Sequence, residues 1–207
     1  MAAELSGCFQ PSYCSSWFLE KYGEENIETF NNLDIKTIVT PCSGCYNTLG
    51  NVYSELGECN YTVKHSVEML ADLIKDKKIV PKHPVKKTVT YHDPCHLGRH
   101  AYIFDAPREI LKAIKGIKLK EMKRIREYSY CCGGGGGART GKIDFAQATA
   151  GRRVQEAEGT GAELLATACP FCEQNFGDYL DTSDSQIKLV DVVELLARSV
   201  FGEPKKK

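Results

Sequence analysis

Five cysteines in this chain stand in one ordered pattern: Cys95, then 35 residues, the pair Cys131-Cys132, then 36 residues, and Cys169-x-x-Cys172. Thiols so distant in sequence act together only if the fold returns them to one place. The segments in front of them say how. Short runs rich in β-branched or apolar residues lead into each cysteine motif. Thr37-Ile38-Val39-Thr40 enters Pro41-Cys42-Ser43-Gly44-Cys45, and Thr88-Val89-Thr90-Tyr91 enters His92-Asp93-Pro94-Cys95. Tyr128-Ser129-Tyr130 enters Cys131-Cys132, and Leu164-Leu165-Ala166-Thr167 enters Ala168-Cys169-Pro170-Phe171-Cys172. Helical periodicity is readable at Ser66–Lys77, Pro107–Lys115, Lys142–Glu158 and Asp191–Phe201. Short strands alternating with helices predict an α/β fold, with short parallel sheets flanked by helices. The strands of a parallel sheet end at one edge, and the loops leaving that edge converge on a crevice. The cysteine motifs are therefore expected at strand C-terminal ends, within reach of one another.

The chain also repeats itself. Cys42-x-x-Cys45 matches Cys169-x-x-Cys172 at an offset of 127, and Val67-Glu68-Met69-Leu70 matches Val193-Glu194-Leu195-Leu196 at an offset of 126. Extended backwards, Gly7-Cys8 falls near the counterpart of Cys131-Cys132, and the counterpart of Cys95 would precede Met1. The expected organisation is a partial first unit over residues 1–84 and a complete second unit over residues 85–207. The Lys- and Pro-rich stretch Lys75–Lys87 reads as an exposed crossover between them.

Ten cysteines among 207 residues is a high count, and no signal peptide is readable at Met1–Leu5. In a reducing compartment such a set points to metal or redox chemistry rather than to disulfides. The formal net charge of zero gives no general electrostatic reason to expect nucleic acid as a partner. No apolar run approaches the ~20 residues of a spanning helix. The expectation is a cytoplasmic chain that reaches a membrane only through a partner.

A CxxC at a helix start sets two thiols side by side near the positive end of the helix dipole, which favours the thiolate. One such pair is compatible with zinc, redox or incidental roles. Two pairs, a CC and a spaced lone cysteine form a stronger pattern. Cys131-Cys132 runs into five glycines, Gly133 to Gly137. A vicinal pair makes a strained disulfide but offers two thiolates to one centre. The glycines allow backbone N–H groups to approach sulfide or an anion. A phosphate loop is the rival reading, and the Lys-Ser/Thr of a P-loop is missing. His92 and His96 flank Cys95 and are candidates to pass protons to a thiolate or to hydrogen-bond a metal centre, with loop orientation as the plain alternative. His65 occupies the position of Asp191 in the repeat and reads as a helix cap. Arg99 and Arg139 could neutralise an anion, against a default of surface ion pairing.

The segments Tyr91–Arg99, Cys131–Gly136 and Ala168–Cys172 resemble the cysteine-rich CCG domain of heterodisulfide reductase catalytic subunits and related iron–sulfur oxidoreductase subunits. The resemblance runs from about Thr37 onward. It implies a non-cubane [4Fe-4S] cluster held by Cys95, Cys131, Cys132, Cys169 and Cys172. It also implies redox chemistry on a disulfide or thiol substrate. The first unit departs from the family pattern, because Gly7 stands where a CC pair would begin. Cys8, Cys42 and Cys45, with Cys14, make a candidate second site for another iron–sulfur cluster, a zinc ion, or nothing stable. Electrons would come from a partner: a ferredoxin-like domain, a flavoprotein or a membrane haem subunit. The alternatives are an electron-relay subunit without its own substrate and a zinc-stabilised module.

Overall fold

A computed structural model describes residues 16–203. Two parallel sheets organise it. In the smaller, β1 (Thr37–Thr40) pairs with β2 (Thr62–His65), Thr37 opposite Thr62 and Thr40 opposite His65. In the larger, β3 (Thr88–Tyr91), β4 (Lys118–Leu119), β5 (Leu164–Thr167) and β6 (Lys188–Asp191) lie in the order β4-β3-β5-β6, all parallel. The helices are α1 (Ser16–Asn32), α2 (Ser43–Asn47), α3 (Tyr53–Leu56), α4 (Ser66–Lys75), α5 (Asp105–Ala113), α6 (Ala138–Gly141), α7 (Ile143–Glu158), α8 (Pro170–Leu180) and α9 (Val192–Phe201). A π-helical turn at Thr48–Val52 joins α2 to α3, and a second one occupies His96–His100.

The predicted α/β class with short parallel sheets holds. The reason is visible in β5, where all four residues are buried, as expected for a parallel strand covered on both faces. Leu164 and Ala166 join one apolar cluster with Ile110 and Leu111 of α5, Leu195 and Leu196 of α9, and Val67 and Ala71 of α4. Leu165 faces the opposite layer with Ala150, Val154 and Ala157 of α7 and Phe176 of α8. Helix α4 lies before the crossover yet packs into the same cluster as α5 and α9.

The repeat has a structural counterpart. β1-α2-β2-α4 and β5-α8-β6-α9 run in the same order, with β1 paired to β2 and β5 to β6 in matching register: Thr40 opposite His65, Thr167 opposite Asp191. Each second strand ends directly in a helix cap. His65 Nδ1 accepts from Val67 N at 3.3 Å, while Glu68 returns a carboxylate to His65 N at 2.9 Å, a capping box. The cap role read for His65 in the sequence is thus met.

One expected strand is absent. Residues 128–130 are not paired; a 3₁₀ turn at Arg126–Tyr128 and an extended link carry the chain into Cys131. The alternation there is imposed by anchoring, because the side chain of Ser129 is buried against the neighbouring loop. The CC pair therefore leaves a pinned loop and not a strand end. Arg139, offered as an anion partner, is engaged with Asp178 at 2.6 Å.

Asp191 caps α9, its Oδ1 accepting from Val193 N at 2.6 Å. Burial outweighs that bond and raises the carboxyl pKa from 3.8 to about 6. A raised acid pKa means the native state holds the proton more tightly. The resulting penalty is absent below about pH 4, grows up to about pH 6 and is full above it. Asparagine keeps the cap acceptor without the charge. Asp191→Asn is expected to stabilise the metal-free chain above pH 6 by about 1 kcal/mol or more and to have little effect near pH 4. Urea unfolding at both pH values checks this; an equal effect at both would contradict it.

Candidate metal centre

Three strand ends build the site. β1 ends at Thr40, and Cys42 takes the cap position of α2. β5 ends at Thr167, and Cys169 caps α8 with Pro170 in its first turn, where the missing N–H costs nothing. β3 ends at Tyr91, and His92-Asp93-Pro94 leads Cys95 into the π-helical turn. Cys45 and Cys172 follow in the first turns of α2 and α8. The positive helix ends thus face the sulfur atoms.

The fourth contribution is the glycine loop. Gly133 has φ of +91°, and a Cβ there would stand 2.7 Å from Thr149 Cβ and 2.8 Å from the Ala146 carbonyl oxygen. Only glycine allows the CC pair to turn so close to α7. Gly133 N lies 3.3 Å from Cys131 Sγ, and Gly134 N lies 3.4 Å from Cys132 Sγ. The backbone donors therefore meet the cysteine sulfurs of their own loop, where the glycine run had suggested sulfide or an anion. Asn175, fully buried in α8, holds the loop from below by donating to the Cys132 carbonyl at 2.8 Å and the Ala146 carbonyl at 3.2 Å.

These elements bring seven thiols into one continuous set. Each thiol shifts the titration of the next in the order Cys45–Cys42–Cys169–Cys172–Cys132–Cys131–Cys95. Thiol donors on either side push three members toward the anion. Cys131 is lowered to about 2, chiefly by Cys132 and then Cys95. Cys169 is strongly lowered by Cys172 and then Cys42. Cys45 is lowered by Cys42. The donors move the other way: Cys132 is pushed up to about 12, first by Cys131, and Cys42, Cys95 and Cys172 are raised as well. All seven are free of disulfides. Such a set is ready to exchange S–H protons for a soft metal. Cys42 and Cys45 thus lie beside the second motif, and Cys8 and Cys14 fall outside the described residues. Cys59 stands apart from the set, with its thiol near the Gly57 carbonyl.

Cys95, Cys132, Cys169 and Cys172 line a cavity of about 70 Å³, with Gly44, Pro94, His96 and Phe171 also in its wall. An organic ligand takes roughly 300–1,000 Å³, so the space suits a compact inorganic centre. Soft thiolate donors, backbone N–H groups on sulfur and a small apolar cavity together fit a thiophilic metal or metal–sulfur group.

Of the two histidines, His92 is completely buried. Its Nδ1 accepts from Arg153 Nε at 3.1 Å, and its ring stands edge-on to Phe176. A ring nitrogen of His92 and the sulfurs of Cys132 and Cys172 lie within 4.8 Å of one another. Burial, then Arg153, lowers its pKa to about 3. His96 is half-buried at the cavity wall, with its ring 4.9 Å from exposed His100. Burial and then His100 lower its pKa. Arg99 donates to the Ser129 carbonyl, a structural tie between the Cys95 and Cys131 loops.

Sequence reasoning missed the residues that hold those loops. Asp93 is buried and binds Arg108 through both oxygens, at 2.6 and 2.9 Å, and its Oδ2 accepts from Arg126 N at 2.8 Å. Arg108 also grips Glu121 at 2.7 and 3.0 Å. Arg153 donates to the Arg124 carbonyl, Glu156 and Ser129 Oγ as well as to His92. The sequence does carry a signal for two of them: Arg153 and Asn175 are polar residues on otherwise apolar helix faces.

The family model for the cysteine-rich CCG domain matches residues 12–50 and 89–177. The chain belongs to the cysteine-rich CCG domain family. Among relatives of this CCG chain, a subunit of the dihydromethanophenazine:CoB–CoM heterodisulfide reductase of Methanosarcina mazei is 42% identical over 87% of the chain and 44% of that protein. The probable iron–sulfur-binding oxidoreductase FadF of Bacillus subtilis is 39% identical over 91% of the chain and 27% of its own length. The EtfAB:quinone oxidoreductase of Syntrophomonas wolfei is 34% identical over 85% and 26%. The CCG chain thus spans less than half the length of these relatives. No described helix is long and apolar enough to cross a membrane.

The Asp93–Arg108 pair predicts an asymmetry in stability. Arg108→Met strands a buried carboxylate and should cost about 3–5 kcal/mol. Lys64→Ala, which opens the exposed Lys64–Asp72 pair, should cost less than about 1 kcal/mol. Urea unfolding of both variants measures the difference, and similar losses would contradict the hub role of Asp93.

Proposed function

We propose that this chain is the iron–sulfur module of an oxidoreductase. In this reading Cys95, Cys131, Cys132, Cys169 and Cys172 hold a non-cubane [4Fe-4S] cluster within the second unit, residues 85–207. The observation that carries the reading is the gathering of Cys95, Cys132, Cys169 and Cys172 around one small cavity, with Cys131 next to Cys95 and Cys132. The relatives named above include iron–sulfur and heterodisulfide-reducing proteins, which supports the choice of iron over zinc. The first unit, residues 1–84, contributes Cys42 and Cys45 to the rim of the same set.

The substrate class is a disulfide or its thiols. Reducing a disulfide takes two electrons and two protons and yields two thiols. The electrons come from a partner subunit: ferredoxin-like, flavoprotein or haem-bearing. When bound, the cluster would supply single electrons and iron sites open to soft sulfur. The chain itself does the rest. The thiolates hold the metal, the Gly133 and Gly134 N–H groups offset negative charge on sulfur, and the Phe171 and Pro94 walls limit water. His96, with exposed His100 against it, offers a proton route from solvent to the cavity.

Anaerobic quantification of iron, acid-labile sulfide and zinc tests the proposal. The chain should carry iron and sulfide, and Cys131→Ser with Cys132→Ser should lose most of both. A normal cluster in that double variant would overturn the ligand assignment. Zinc without iron in the unsubstituted protein would replace the proposal with a zinc-stabilised module.

A further inference from the structure

Arg153 and His92 form a buried pair that the thiol ligands do not require. Both are fully buried. An arginine guanidinium can only donate. Its Nε points at His92 Nδ1, 3.1 Å away, so Nδ1 must present its lone pair. The proton of the neutral ring then resides on Nε2. The guanidinium has little freedom to turn away, because its other nitrogens are engaged by the Arg124 carbonyl at 2.9 Å, Glu156 at 2.8 Å and Ser129 Oγ at 3.1 Å. Phe176 braces the ring edge-on. Among the described residues, His92 Nε2 has no hydrogen-bond partner although it is buried. A buried N–H without a partner costs free energy comparable to a lost hydrogen bond. The sulfurs of Cys132 and Cys172 are the groups at hand.

Resting on the cluster reading above, we propose that His92 is a positioning residue that donates its Nε2–H to sulfur at the Cys132–Cys172 side of the cluster, with Arg153 fixing the tautomer. Direct metal ligation is the competing use of the same nitrogen. Ligation through Nε2 would require either an imidazolate or loss of the Arg153 bond, whereas donation requires neither. A donor to cluster sulfur stabilises the more negative, reduced state, so it raises the reduction potential. Among the described residues, the first motif offers no such arginine–histidine pair. Its buried histidine, His65, receives its Nδ1 bond from the backbone of α4 and not from a cation.

The test uses the full chain, anaerobically loaded with iron and sulfide. Pulsed electron paramagnetic resonance on ¹⁵N-histidine-labelled protein should show one weak histidine nitrogen coupling and an exchangeable proton, both absent in His92→Phe. Redox titration of that variant should favour the oxidised cluster by about tenfold, or about 59 mV for a one-electron couple. Arg153→Met, which frees the tautomer but leaves the imidazole, should shift the potential in the same direction. A strong nitrogen coupling, typical of direct ligation, would overturn the inference. So would the absence of any histidine coupling in an intact cluster, a readout that needs no variant to fold. A potential unchanged in His92→Phe at full iron content would overturn it as well. A chain that binds no iron and sulfide would instead overturn the cluster reading on which this inference stands.

Discussion

The structure depends on one geometric constraint: parallel strands end together, and here the endings of β1, β3 and β5 each become a helix start or a tight turn that carries cysteine. β3 and β5 deliver Cys95 and Cys169 to one edge of the larger sheet, and β1 of the smaller sheet brings Cys42 beside Cys169. Helix N-termini supply partial positive charge to that edge. The layers around β5 serve this edge, since apolar cover on both faces leaves the strand ends as the place where polar chemistry can occur.

Gathering thiols creates a charge problem that the surrounding residues solve. Several sulfurs cannot all be anionic in a small apolar cavity, and without metal they share protons along the set. Backbone N–H groups of the glycine loop add donors without adding bulk. Beneath the loops, charges occur in paired groups: Arg108 with Asp93 and Glu121, and Arg153 with Glu156. Asp93 ties the Cys95 loop to the turn that precedes Cys131, and Ser129 extends the same tie to Arg153. The loops are thereby fixed before any metal arrives, which favours binding by lowering the ordering cost.

Much of this was legible in the sequence because strand, turn and cysteine followed one another in short order. β1, β3 and β5, the helices α4, α5, α7 and α9, and the cap role of His65 were all readable from periodicity and from the internal repeat. Helix α8 received no bounds, although its CxxC was read as a helix start and proline in a first turn is a helix signal, because Glu173, Gln174 and Asn175 interrupt the apolar periodicity after Cys172. β2 and β6 were hidden because each runs into its helix without a turn. Tyr128-Ser129-Tyr130 misled because alternation looks alike in a strand and in a loop pinned by one buried serine. The contact of Cys42 with Cys169 depends on how two sheets pack, and no local pattern encodes that. Arg153 and Asn175 could have been flagged, since a polar residue on an apolar helix face needs a partner inside.

The central claim is that these sulfurs grip iron where the ends of β3 and β5 meet the glycine loop. Anomalous X-ray scattering at the iron edge, from crystals of anaerobically prepared protein, tests it most directly. The account predicts several iron peaks enclosed by Cys95, Cys131, Cys132, Cys169 and Cys172. Iron absent from that place while the five side chains remain well ordered, or a lone zinc peak in its stead, would contradict it.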